Sequence, residues 1–307
     1  MIQAQHVTKT FCSASQPDAH IALNDLSCTI PGGCIYGLVG SNGAGKSTFL
    51  RLLSGVYRPD SGSIEIDGLP VWENPEAKNK IFYVPDDLYF LPQTNMNKMA
   101  HYYNALYSKF NRERFDNLTQ TFGLNPTANL NTFSKGMRRQ AATILALSTM
   151  PDYLFFDETF DGLDPVMRRL VKQVIYNDVL DRGTTTIITS HSLRELEDTC
   201  DQLALLHQGG IVFESDIQNL KTALFKVQTA FHTPFTRQTF EAAGINIVSY
   251  SQMGSVATFI VRGEREATEA KLRAMNPLLL DMLPLNLEEV FIYEMEALGY
   301  AFKDILM

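Results

Sequence analysis

A chain of 307 residues with 45% apolar and 20% charged side chains has the composition of a globular protein and room for one large domain or two ordinary ones. Its net charge of −8 argues against nucleic acid as a partner, because that affinity rests on clustered Lys and Arg. Cys12, Cys28, Cys34 and Cys200 show neither C-x-x-C pairing nor metal-ligand spacing and read as reduced thiols; the N-terminus lacks signal-peptide regions, and no stretch approaches the ~20 apolar residues that span a bilayer. Work at a membrane therefore needs another chain to supply the span.

Residues 2–11 are expected as an edge strand, 12–20 as a polar loop and 21–30 as a second strand. Phe11 is either a platform for an adenine ring or a core aromatic at a strand end. Pro31-Gly32-Gly33 turns the chain into an apolar strand over 34–39. The next nine residues, Gly40-Ser41-Asn42-Gly43-Ala44-Gly45-Lys46-Ser47-Thr48, fit G-x-x-x-x-G-K-[ST], a phosphate-binding loop between a strand and a helix that Gly55 closes. Its glycines let backbone N–H groups turn inward around a polyphosphate, and the helix N-terminus adds partial positive charge. Lys46 is expected at the β- and γ-phosphates and the Ser47 hydroxyl on Mg²⁺, so the chain is expected to bind a nucleoside triphosphate.

Residues 63–68 alternate like a strand ending in an Asp-Gly turn, and 81–85 form another strand, followed by Asp86-Asp87. From 94 to 131 the spacing is helical: Met96, Met99, Tyr103 and Leu106, then Phe115, Leu118 and Phe122. Ser134 is placed to cap a further helix that Pro151-Asp152 ends. The apolar run 153–156 then closes on Asp157-Glu158. A buried strand delivering Asp157 to the carboxyl edge of a sheet lets it hold Mg²⁺ through the water shell, and Glu158 is the natural base or positioner for an attacking water. The strand 187–190 ends in His191, expected at the γ-phosphate, and 202–207 forms one more strand.

The last third has its own order: strand 224–231, helix 234–243, hairpin 245–251 and 255–261, helix 264–275, strand 278–283. That is the β-α-β-β-α-β split unit of ferredoxin-like folds. Asn286 is expected to cap a final helix with Glu289 reaching back, and the apolar tail 300–307 to pack on its own domain or a twin. The segment has no constellation for chemistry, so regulation or dimer contact is expected of it.

The sequence of phosphate loop, helical insertion, Ser134-Lys135-Gly136, Phe155-Phe156-Asp157-Glu158, Gly162-Leu163-Asp164 and His191 resembles the ABC ATPase domain over about residues 1–215. The resemblance implies an α/β P-loop NTPase fold with its helical insertion at about 94–150, and a ferredoxin-like accessory domain over 216–307. It makes Phe11 the adenine-stacking aromatic, and Lys46, Ser47 and Thr48 the Walker A residues. Ser134 and Gly136 match the signature loop that meets the γ-phosphate on the opposite protomer, and Asp164 the loop crossing between protomers. Lys46, Glu158 and His191 are then the catalytic set, and Ser47, Asp86 and Asp157 the metal set.

A site shared this way implies a dimer of this chain or of closely related ATPase subunits. The signature departs from Leu-Ser-Gly-Gly-Gln, reading Phe133-Ser134-Lys135-Gly136-Met137; Asp86 stands for a glutamine and Thr159 for a proline. Such variants look like single-domain ATPase subunits of bacitracin- and lantibiotic-type exporters. The implied activity is ATP hydrolysis driving a separate transmembrane permease at the cytoplasmic face of the cell membrane. The alternatives are an ATP-dependent sensor signalling through a membrane partner and a soluble ABC ATPase acting on a macromolecule. The tandem ATPase domains, coiled coils and zinc modules usual in that last group have no counterpart in the sequence.

Overall fold

Alternation at the N-terminus builds the first sheet: Ile2, Ala4 and Val7 turn inward and are almost fully buried, while their neighbours face out. The computed structural model describes residues 1–13 and 16–297, without the side chains at 12–19, 221 and 223. The chain divides into two compact units, Met1–Glu214 and Ser215–Met307. In chain order the first holds β1 (Ile2–Ser13), β2 (Gln16–Ile30), β3 (Ile35–Val39), α1 (Lys46–Leu53), β4 (Ser61–Ile66), β5 (Leu69–Pro70), α2 (Pro75–Asn79) and β6 (Ile81–Val84). There follow α3 (Met96–Leu106), α4 (Arg112–Thr121), α5 (Lys135–Ser148), β7 (Tyr153–Phe156), α6 (Pro165–Arg182), β8 (Thr185–Ser190), α7 (Leu193–Glu197), β9 (Gln202–His207) and β10 (Gly210–Asp216).

Among the described residues of this unit two sheets form. One is antiparallel in the order β2-β1-β4-β5, and the other runs β10-β9-β3-β8-β7-β6, with β9, β3, β8, β7 and β6 paired in parallel. The main core lies between them: Ile2, Leu26 and Ile66 come from the first sheet, Tyr36, Phe155 and Ile187 from the second, and Phe49 and Leu53 from α1. Within the segment expected as a loop over 12–20, the described residues 12–13 and 16–20 instead continue the hairpin, with Phe11 opposite His20 and Ser13 opposite Gln16. Polar residues are tolerated in a strand wherever one face is solvated, so polarity alone was a poor guide there. The Asp67-Gly68 turn has φ of 52° and 77°, both positive, as a tight hairpin turn requires.

The second unit holds α8 (Ile217–Ala223), β11 (Leu224–Ala230), α9 (Arg237–Ala242), β12 (Ile247–Met253), β13 (Val256–Arg262), α10 (Arg265–Ala274), β14 (Leu279–Pro284) and α11 (Leu287–Ala297). Its strands pair antiparallel in the order β12-β13-β11-β14, the arrangement of the ferredoxin-like split unit. Phe225, Phe240, Phe259 and Leu272 pack one face of that sheet against α9 and α10. Asn286 and Glu289 exchange side-chain to backbone bonds of 2.8 and 3.0 Å, a capping box that starts α11. The tail 300–307 lies outside the described residues. No helix among the described residues is long and apolar enough to cross a membrane.

Candidate active site

Parallel register brings the predicted residues to one edge. Gly37 of β3 pairs with Ile188 of β8, Ile188 with Phe156 of β7, and Phe156 with Val84 of β6. The residues just beyond those positions are the phosphate loop, Thr189 to His191, Asp157-Glu158 and Asp86. Ligands of parallel α/β sheets bind at this carboxyl edge.

The loop needs its glycines for space as well as for turning. A Cβ on Gly40 would lie 2.4 Å from the Leu206 carbonyl oxygen, and one on Gly45, at φ +111°, would lie 2.5 Å from that of Ala22. Gly45 begins α1 without any side-chain cap, so the first-turn N–H groups of this eight-residue helix are left for an anion. The Lys46 ammonium is buried and donates to the Gly40 and Ser41 carbonyls at 2.7 and 3.3 Å. It also lies 3.3 Å from Glu158 Oε1, while Glu158 Oε2 is 3.0 Å from His191 Nδ1. One carboxylate thus links the phosphate-loop lysine to the histidine. A cavity of about 250 Å³ opens here, lined by Phe11, His20, Ala22, Asp86, Glu158 and, from the loop, Ser41, Asn42, Gly43, Gly45, Lys46, Ser47 and Thr48. Phe11 meets Tyr57 edge-on at 5.4 Å, with the Lys9 ammonium over its ring at 5.6 Å.

Asp157 lies fully buried beside the cavity. Its Oδ1 accepts from the Thr189 hydroxyl at 2.8 Å and its Oδ2 from the Tyr83 hydroxyl at 3.1 Å. Burial, and then the charge of Asp157, hold the Tyr83 phenol well above its ordinary pKa, so it stays a donor. Among the described residues no three His, Cys, Asp or Glu side chains converge as a cage for a metal ion. A magnesium here would draw on oxygens of Ser47 and Asp157 together with phosphate and water, a donor set that fits a hard cation.

Two charged residues near the expected site are engaged within the chain. Asp86 reaches the cavity, but its carboxylate accepts from Arg139, a guanidinium only 2% exposed that also lies 3.5 Å from the Asp157 carbonyl oxygen. A metal at Asp86 would have to share that carboxylate with Arg139. Lys135, in the altered signature, is bonded at 2.6 Å to Asp161 of the same chain and holds that carboxyl below the usual range. Ser134 caps α5 through the Met137 N–H, Asp164 caps α6 through Val166 and Met167, and neither they nor Gly136 line the cavity. Sequence reasoning missed Tyr83, Arg139 and Thr189. Tyr83 and Thr189 are polar residues set in apolar strand runs, a signal that needed the neighbouring strands to be interpreted, while Arg139, between Arg138 and Gln140, carried none. A larger concavity of about 630 Å³ beside α6, lined by Arg168, Lys172 and Tyr176, contains none of the expected residues.

The model of the ABC transporter family matches residues 23–161. The ABC transporter ATP-binding protein YtrB of Bacillus subtilis (strain 168) is 31% identical over 292 residues, covering 95% of this chain and 97% of that protein. The daunorubicin/doxorubicin resistance ATP-binding protein DrrA of Streptomyces peucetius is 32% identical over 210 residues, 66% of this chain and 63% of that one. Among solved structures, the dimeric ATP-binding cassette MJ0796 in a post-hydrolysis state with ADP and Pi superposes with a TM-score of 0.65 at 20% identity, over 71% of this chain and 99% of that one. The chain belongs to the ATP-binding proteins of ABC transporters: it is an ATP-binding, ATP-hydrolysing subunit of that family.

Proposed function

We propose that Lys46, Glu158 and His191 act directly on the γ-phosphate and the attacking water, and that the hydrolysis drives a separate transmembrane permease that exports its cargo. The observation that carries this reading is the Glu158 carboxylate, held between Lys46 and His191 at the mouth of the phosphate loop. In this reading residues 40–48 wrap the phosphates with backbone N–H groups, and Lys46 exchanges its carbonyl partners for phosphate oxygens. Phe11 supplies an aromatic face for the adenine ring. Ser47 and Asp157 would hold Mg²⁺, which when bound would supply positive charge against that of the phosphates. Glu158 orients and polarises water, and His191 keeps that carboxylate in place while facing the same phosphate.

Ser134, Gly136 and Asp164 complete the site from a second copy or a closely related subunit, and residues 216–307 serve as an accessory domain for contact or regulation. Support for a permease partner lies on the helical region, where Tyr89, Leu91, Tyr102 and Leu106 are 76, 45, 48 and 53% exposed near a groove lined by Pro85, Leu88 and Tyr103. Docking there places the subunit at the inner face of the cell membrane. The export direction follows relatives named for resistance, DrrA and the linearmycin resistance protein LnrL, although the methionine import protein MetN is also similar at 30% identity.

The deciding experiment is Glu158→Gln. The amide keeps the shape but loses the charge that polarises water, so turnover is expected to fall by about two orders of magnitude or more with ATP binding retained. Turnover near that of the wild type would remove Glu158 from the reaction.

A further inference from the structure

Thr189 sits at the end of β8, fully buried, where one hydroxyl serves two neighbours. It accepts the backbone N–H of Glu158 at 3.0 Å and donates to Asp157 Oδ1 at 2.8 Å. A hydroxyl has one proton to give, and the nearer, charged carboxylate takes it in preference to the Phe156 carbonyl at 3.5 Å. Glu158 needs the anchor, since its φ of 49° lies in the left-handed region that residues with a Cβ seldom adopt. Two residues further along the same strand end, His191 takes the Glu158 carboxylate. The end of β8 therefore grips Glu158 at both backbone and side chain, and grips Asp157 as well.

We propose that Thr189 is a positioning residue for hydrolysis, aiming Asp157 at the metal position and Glu158 at the water position through one hydroxyl. This rests on the reading of Glu158 and Asp157 given above. The simpler account is that a buried strand tolerates threonine, and β8 supplies a comparison. The Thr186 hydroxyl is equally buried and has no hydrogen-bond partner among the described residues. If packing were all, the two positions would respond alike.

The test compares Thr189→Val, Thr189→Ser and Thr186→Val with Glu158→Gln, reading kcat, binding of a fluorescent ATP analogue in EDTA and across a Mg²⁺ titration, and melting temperature. Thr189→Val is expected to lower kcat by about ten-fold or more and to raise several-fold the Mg²⁺ needed for half-maximal binding, as loss of an orienting group does. Its affinity in EDTA should stay within about two-fold of the wild type, because the phosphate loop is untouched. Thr189→Ser should recover most of both losses, and Thr186→Val should behave as the wild type. Thr189→Val within two-fold of the wild type in both kcat and Mg²⁺ requirement overturns the proposal; so does a loss as large in Thr189→Ser or Thr186→Val. Wild-type turnover in Glu158→Gln overturns the Glu158 reading alone, since the Mg²⁺ requirement reports Asp157. Should Thr189→Val not fold, Tyr83→Phe removes the other bond to Asp157 from β6. A raised Mg²⁺ requirement there supports the grip on Asp157, and an unchanged one overturns it.

Discussion

Asp86 illustrates how a single residue can hold a structure together at the edge of a site. Arg139 is 2% exposed, and a guanidinium cannot shed its charge, so it needs a carboxylate within reach. Asp86 is the one in direct contact, while Asp161 stands 4.0 Å away. Removing one partner of a fully buried pair costs about 3–5 kcal/mol; Asp86 is itself half exposed and water reaches its side, so about 1–3 kcal/mol is expected for Asp86→Ala. The measurement is urea unfolding in EDTA without nucleotide, where a residue that only bound metal would show no loss. Adding Arg139→Met to the same chain should recover part of the stability, because an apolar replacement removes the stranded charge. A double variant no more stable than Asp86→Ala would mean that Arg139 was not the reason.

At the level of elements, the start of α5 and the chain after Asp157 are built against each other. A Cβ on Gly136 would lie 2.9 Å from the Gly162 carbonyl oxygen, and one on Gly162 would lie 3.3 Å from the aliphatic stem of Lys135. The Lys135–Asp161 bond is solvent-exposed at both ends, 66 and 47%, and contributes at most about 1 kcal/mol, so close packing rather than charge sets this contact. Gly136→Ala should therefore separate activity from stability. Alanine gains about 1 kcal/mol of helix propensity, which offsets the strain of displacing Gly162, so the melting temperature should move by only a few degrees. Displacing the loop that carries Asp164 should lower turnover by about ten-fold or more if that loop and Ser134 complete the site. Unchanged turnover would take the contact out of the catalytic cycle.

The same elements show what the chain reveals before it is folded. The strand-loop-helix around Lys46, the run ending at Asp157 and the split unit after residue 224 were legible because apolar period and capping residues are local signals. β10 and α8 were not anticipated: Gly210–Asp216 is only half buried, so it lacks the apolar run that marked its neighbours. The carboxylates and histidine of the candidate site were legible as residue types at strand ends, whereas the contacts of Thr189 and Arg139 join segments far apart in sequence and appear only in the fold. Asp86 is a metal candidate because it stands for the family's glutamine, and its contact with Arg139, 53 residues on, is not visible in the sequence.

For the whole molecule, each of the two units has its own core, around Phe49, Phe155 and Leu206 in one and Phe225, Phe240 and Phe259 in the other. Separate cores lead us to expect separate cooperative melting. With the boundary at Glu214 and Ser215, the per-residue enthalpy of globular proteins gives roughly 150 kcal/mol for the first transition and roughly 65 kcal/mol for the second. The candidate site lies wholly in the first unit, so nucleotide should stabilise that one. A non-hydrolysable ATP analogue with Mg²⁺ at a hundred times its Kd adds about 2.7 kcal/mol, which for a unit of this size raises its midpoint by about 5–10 °C. Differential scanning calorimetry with and without the analogue is the measurement. A single transition, or two that move together, would show that residues 215–307 share the fate of the ATPase unit and would turn their role from accessory contact towards coupling to nucleotide. A second transition that stays in place while the first moves would leave them free to work through a partner instead.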